Sequence, residues 1–249
     1  MNLRIFDSLE ELTRAAARTI LQREHRSVAI SGGSTPQPLY ELLAPQLSED
    51  DPVTWVLVDE RYVPKSDPQS NAAMIERTLF ARGLPASHRW VHFDTSLPDA
   101  AASAAKFARE FCSSSRAQTG DHPADGREVA GGAIDPASSR GMNWETVEPL
   151  DIVLLGCGDD GHTASLFPGT PVLDVEDRVA SAVYVPRLGQ WRVTLTKPVI
   201  RAAKLRIVLA TGASKAPILR EVREGVPHPV ALATSGVETW WFVDRAAAP

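Results

Sequence analysis

Residues 150–169 read LDIVLLGCGDDGHTASLFPG, and the organisation of the whole chain follows from this stretch. Leu150, Ile152, Val153, Leu154 and Leu155 make a short apolar run rich in aliphatic and β-branched residues, the pattern of a buried strand. Gly156, Gly158 and Gly161 follow in quick succession, so the backbone can turn sharply and meet a ligand with no Cβ in the way. Asp159, Asp160 and His162 sit in that turn, and Thr163 is expected to open a short helix that Pro168 and Gly169 stop. In an open α/β sheet, ligands bind just past the carboxyl ends of the strands. A strand, a glycine turn and then Asp-Asp-Gly-His has that form. A plain loop can share it, and most loop histidines do no chemistry, so the rest of the chain has to separate the two readings.

The same alternation repeats on both sides. Leu3–Phe6 reads as a strand, and Ser8 caps a helix to about residue 24, with Glu11 completing a capping box. Val28–Ile30 is a buried strand that feeds SGGSTPQPLYELLA at 31–44. There Ser31, Gly32, Gly33, Ser34 and Thr35 precede a helix with Pro36 in its first turn. Such a loop offers amides, hydroxyls and a positive dipole end to an anion, although no Gly-Lys-Ser/Thr follows and a simple capped turn looks similar. Val53–Val58 ends in DERYVP, which places Asp59, Glu60 and Arg61 at a strand's carboxyl end. Ser70 and Asn71 open a helix to about Phe80, Trp90–Phe93 reads as a strand, and Ala100–Phe111 as an alanine-rich helix.

Residues 113–146 are rich in Gly, Ser, Ala, Asp and Pro without an apolar period, and are expected to form a flexible surface insertion with His122 solvated within it. Strands resume after the glycine turn at Val179–Val185, WRVTLT (191–196) and KLRIVL (204–209). The last of these ends in TGASKAPIL, with Thr211, Gly212 and Ser214 leading into a helix. Lys215 falls in its first turn, where a cation opposes the helix dipole unless an anion lies between them. TWWFV (239–243) is the final strand, and no internal repeat is present.

Strands alternating with helices over 249 residues predict a single-domain α/β protein with a doubly wound, largely parallel sheet. Its polar strand ends, Ser31–Thr35, Asp59–Arg61, Gly156–His162 and Thr211–Lys215, can then converge on one pocket. Hydroxyls and cations there suit a phosphate, and carboxylates suit sugar hydroxyls, so a phosphorylated sugar is the economical ligand class. A net charge of −5 argues against a nucleic-acid partner. The two cysteines, Cys112 and Cys157, form no CxxC pair, so neither a disulfide framework nor a zinc knuckle is expected, and no metal site is indicated. No apolar run reaches the roughly 18 residues that span a bilayer, and no basic-then-apolar leader opens the chain. A cytoplasmic protein, a monomer or weak homo-oligomer, is the expectation.

Taken together, SGGSTP, DERYVP with the following Ser70-Asn71, GCGDDGHTASLFPG, RVTLT and TGASKA resemble the 6-phosphogluconolactonase family, in that family's order and across residues 28–217. The DGHTASLFPG block is highly specific. The resemblance implies a fold shared with glucosamine-6-phosphate deaminase and ribose-5-phosphate isomerase. It also implies hydrolysis of 6-phosphoglucono-δ-lactone in the oxidative pentose phosphate pathway, with no required cofactor and a small sugar-phosphate lactone as the sole partner. A lactone is an activated ester, so a base of near-neutral pKa acting on water is sufficient, and His162 has that character. Asp160 is the candidate to orient it, and amides of the glycine turn, Gly161 among them, or Arg61 are candidate donors to the oxyanion. The family likeness puts the phosphate at Ser31–Thr35, Arg192 and Lys215, with Asp59, Glu60 and Arg61 as substrate contacts.

Deaminase relatives carry a glutamate five positions after the loop histidine, in a pattern similar to DGHxAFNEP, whereas Phe167 stands there in this chain. That favours lactone opening over ring-opening deamination or isomerisation. A non-catalytic sugar-phosphate sensor is a third reading, weakened by the acidic charge and by the roughly 25 residues before the first cradle strand, too few for a DNA-binding module. His228, between two prolines, is read as a structural loop residue.

Overall fold

The computed structural model describes residues 1–119 and 144–249. Seven strands form one sheet in the order β1 (Asn2–Phe6), β10 (Thr239–Asp244), β9 (Leu205–Ala210), β6 (Ile152–Gly156), β2 (Ser27–Ile30), β3 (Thr54–Leu57) and β5 (Arg89–Val91). Every neighbouring pair is parallel. The apolar runs explain the arrangement: β2, β3 and β9 are buried at every position, as strands covered on both faces must be. The chain winds outward from β2 to β3 and β5, and then from β6 to β9 and β10 on the other side, where the first strand, β1, forms the edge. The expected doubly wound parallel sheet is therefore present, with its switch point between β2 and β6. Asp151 pins the opposite edge, its carboxylate accepting from the Arg26 and Ser27 amides at 2.8 and 3.0 Å and from Lys204 Nζ at 2.7 Å.

Among the described residues, seven α-helices connect and cover the strands: α1 (Leu9–Leu21), α2 (Gln37–Leu43), α3 (Asn71–Thr78), α4 (Ala100–Thr119), α5 (Lys197–Ala202), α6 (Ala216–Arg223) and α7 (Pro229–Thr234). The predicted Ser8 cap is formed, its hydroxyl accepting from the Glu11 amide at 3.2 Å.

Three expectations are corrected. Asp59-Glu60-Arg61 is a strand, β4 (Asp59–Arg61), and it pairs antiparallel with β8 (Gln190–Leu195), which pairs with β7 (Ala180–Val185) in a second, three-stranded sheet. Helix α4 continues to Thr119, inside the stretch expected to be irregular from residue 113, because its alanines and serines do not break a helix already begun. A short 3-10 turn covers Trp144–Thr146, while the rest of that insertion, including His122, lies outside the described residues. No helix starts at Thr163: Ala164 adopts φ 52°, and the Leu166 amide closes a turn onto the Thr163 carbonyl at 2.9 Å. His228, read as a structural loop residue, is the N-cap residue of α7.

Candidate active site

The turns after β2, β6 and β9 and the strands β4 and β8 enclose one cleft of about 260 Å³ at the switch point. It is lined by Ser31–Thr35, Asp59, Arg61, His162, Arg192 and Lys215, so most of the residues singled out from sequence are brought together. Asp160 and Gly161 stand behind the lining and shape the turn, and Glu60 is turned elsewhere.

The imidazole is held from several sides. His162 Nδ1 lies 2.5 Å from Asp160 Oδ1, so the carboxylate accepts a hydrogen bond from Nδ1–H and leaves Nε2 as the basic nitrogen. The Phe167 ring stacks on His162, centroids 4.2 Å apart. The glycines explain how the ring fits. A Cβ on Gly158 would stand 2.0 Å from His162 Nδ1, and Gly161, at φ 76°, would place one 2.7 Å from the His228 ring. His228 in turn bonds Glu221 at 2.5 Å, and the Val230 amide donates to the Gly161 carbonyl at 2.9 Å, so α7 supports the turn from behind. Burial lowers the His162 pKa below its ordinary value, against the opposing pull of the Asp160 hydrogen bond. Such a group is neutral and basic at neutral pH. Cys157 also lines the cleft, but burial pushes its thiol up to about 12, which leaves it un-ionised and poorly nucleophilic.

The facing wall is cationic. Arg61 and Arg192 are directly opposed across the β4–β8 pair, an unfavourable arrangement for like charges without an anion between them. Among the described residues, buried side-chain atoms with no hydrogen-bond partner are Ser31 Oγ, Arg61 Nε, Ser103 Oγ and Arg192 Nε, and all but Ser103 belong to the cleft. Unmet donors of this kind are costly unless a ligand satisfies them. Burial lowers the Arg192 pKa, while nearby Asp59 counteracts it. Asp59 accepts from Ser165 Oγ at 2.7 Å, which fixes its carboxylate. Lys215 reaches the same cleft while paired with Asp159, which also accepts from Ser214 Oγ at 3.0 Å. The inventory of cations, hydroxyls and amides suits an anion. Among the described residues, no group of three or more His, Cys, Asp and Glu is arranged to hold a metal ion.

Glu60 does not join them. Its carboxylate accepts from the Asn71 and Ala72 amides, both at 2.7 Å, from the Arg61 amide at 2.8 Å and from Ser70 Oγ at 3.1 Å, and so caps α3. Asn71 is a site residue that sequence reading left as a helix opener. Its amide donates to the Asp59 carbonyl at 2.9 Å and occupies the space that a Cβ on Gly32 would need, at 1.8 Å. Ser165 and Arg187 were also missed. Arg187, at the β7–β8 connection, lies 2.6 Å from Asp160 Oδ2, and nothing in the PRLG sequence around it signals that contact.

These features define a class: a parallel α/β protein whose switch-point cleft sets a supported neutral imidazole against unpaired cationic donors. The profile described as glucosamine-6-phosphate isomerases/6-phosphogluconolactonase matches residues 5–241, and the chain belongs to that family. A 6-phosphogluconolactonase of Nostoc sp. is 33% identical over 246 residues, which cover 96% of this chain and 90% of the relative. One from Synechocystis sp. is 32% identical over 241 residues, 95% of this chain and 89% of the relative. The solved structure of a 6-phosphogluconolactonase from Trypanosoma brucei superposes with a TM-score of 0.76 at 28% identity, covering 99% of this chain and 97% of that one. A monomeric glucosamine-6-phosphate deaminase, 19% identical, matches with a TM-score of 0.70 over 99% of this chain and 98% of its own, a likeness of fold alone. Among the described residues, no helix is long and apolar enough to cross a membrane.

Proposed function

We propose that this protein hydrolyses 6-phosphoglucono-δ-lactone to 6-phosphogluconate, the step that follows sugar-phosphate oxidation in the pentose phosphate pathway. The observation that carries the reading is the His162–Asp160 pair, 2.5 Å apart, with the imidazole lining a cleft of unpaired cationic donors. In this reading the lactone's phosphate lies against Arg192, Lys215 and the Ser31–Thr35 loop. Its ring carbonyl comes within reach of a water beside His162 Nε2. The imidazole takes a proton from that water as its oxygen attacks the carbonyl carbon. Arg61 or amides of the glycine turn stabilise the negative charge that develops on the carbonyl oxygen. Collapse of the tetrahedral intermediate breaks the bond to the ring oxygen, which receives the proton back from His162. Asp160 keeps the imidazole in the correct tautomer and stabilises its charged form, as an orienting carboxylate does.

The rival reading is deamination or isomerisation of a sugar phosphate on the same fold. Phe167 counts against it, since a buried apolar ring, 2% exposed, stands at the sequence position where the similar deaminase motif carries a glutamate.

The test is 6-phosphogluconate formation on purified protein, with the lactone generated in situ by glucose-6-phosphate dehydrogenase and the spontaneous opening subtracted. Acceleration by the wild type, reduced about 10²-fold or more in His162→Ala, is the expected outcome. A wild type that leaves the spontaneous rate unchanged removes the reading.

A further inference from the structure

Arg187 lies at the tip of the β7–β8 hairpin, in the 3-10 turn Pro186–Leu188 that Gly189 closes at φ 58°. Its guanidinium meets both groups that fix the imidazole. One nitrogen is 2.6 Å from Asp160 Oδ2, while the other carboxylate oxygen, Oδ1, is 2.5 Å from His162 Nδ1. The Arg187 Cζ stands 5.0 Å from the centroid of the Phe167 ring that stacks on His162. No motif in the sequence assigns this arginine a role, and the reaction described above does not use it.

We propose that Arg187 is a positioning residue, holding the Asp160 carboxylate and the Phe167 ring so that His162 keeps its Nδ1–H donated to Asp160 and turns Nε2 to the substrate. The inference rests on the reading of His162 as the base. The physical reason lies in the carboxylate torsion. The last torsion of an aspartate is broad, so one hydrogen bond fixes one oxygen and leaves the carboxylate plane free to swing. A second bond, to the other oxygen, locks the plane. Arginine suits this place because its flat guanidinium can donate within its plane and lie over an aromatic face at once, which an ammonium cannot do. The pair is also a poor candidate for a stabilising device. The Arg187 side chain is 52% exposed, and ion pairs so placed contribute little to folding.

Charge gives a second readout. Among the described residues, Asp159 and Asp160 from the same turn, Asp59, Arg61 and Arg192 from β4 and β8, Arg187 from the hairpin tip and Lys215 beyond β9 are the charged groups around His162, with His228 behind Gly161 and the un-ionised Cys157 in the lining. Arg187 works against protonation of the imidazole, so its removal lets His162 protonate at higher pH.

The experiment compares wild type, Arg187→Met and Arg187→Lys in the full chain. It measures kcat and KM for the lactone across pH, thermal unfolding, and the titration of the His162 imidazole by NMR, assigned by difference with His162→Gln. Arg187→Met should lower kcat by about tenfold, part of what a positioned base supplies. KM and the unfolding temperature should stay close to wild type, and the acid limb should move to higher pH. Arg187→Lys should restore the limb but only part of kcat. A raised KM with kcat retained would make Arg187 a substrate contact and overturn the proposal, as would loss of the fold in Arg187→Met. If the wild type does not hydrolyse the lactone, the functional reading fails separately and the NMR titration decides: an unmoved His162 in Arg187→Met overturns the positioning role, and an upward shift supports it.

Discussion

The Phe167 ring and the His162 imidazole lie nearly parallel, their planes 24° apart and their centroids separated by 4.2 Å. A side chain fixes the catalytic candidate from the position where related deaminases, by the motif likeness, carry an acid.

Phe167→Leu is expected to keep the fold, at a cost of about 1–2 kcal/mol for lost buried area and stacking. It should also lower kcat for lactone hydrolysis by loosening the imidazole, with KM little changed. Urea unfolding and steady-state kinetics measure the two effects. Full retention of kcat would mean that the stacking does not position His162.

The pH profile follows from the direction of the His162 shift. Burial disfavours the charged imidazole and outweighs the opposing effect of Asp160, so the pKa falls below the ordinary 6.5. The neutral form is the base, and activity is lost as pH falls through the lowered value. The acid limb of kcat/KM is therefore expected below pH 6.5 in wild type. A limb at or above that value would contradict the burial argument.

Arg192 and Lys215 should act through substrate affinity. Arg192→Met removes an unpaired buried donor from the cleft and should raise KM about tenfold or more, the usual loss for a hydrogen bond to a charged group. Lys215 is paired with Asp159, so Asp159→Asn frees the ammonium and should lower KM by up to about fivefold, the range of a partly exposed ion pair. Competitive inhibition by inorganic phosphate, weakened in Arg192→Met, provides an independent check. An Arg192→Met enzyme with wild-type KM would place the phosphate elsewhere.

Glu60→Gln separates capping from substrate contact. The new amide group can no longer accept at every α3 and Arg61 amide, so stability should fall by about 1–3 kcal/mol while KM is unchanged. A changed KM at constant stability would return Glu60 to the substrate.

The sequence by itself determined the layered architecture. Apolar runs at Val28–Ile30, Val53–Val58, Leu150–Leu155 and Leu205–Leu209 can be buried only as two-face-covered parallel strands, and the polar turns that follow them must share one sheet edge. It also determined the chemical character of that edge, because His162, Lys215 and the small-residue loop are contiguous with strands whose ends are fixed.

Tertiary structure decided which neighbours in sequence face the same way. Asp59-Glu60-Arg61 looks like one charged cluster, but as a strand it alternates, sending Asp59 and Arg61 to the cleft and Glu60 to the α3 amides. The pattern was invisible because its partner, β8, is separated from it by the whole central part of the chain. The sequence pattern at Thr163 is that of a helix start, but Ala164 takes a left-handed backbone that only surrounding contacts can sustain. Arg187 lies far enough along the chain from Asp160 that only the β7–β8 hairpin brings them together. Local pattern fixes strands and turns because their causes are local. The contacts that tune the imidazole are long-range, and only the packed sheet creates them.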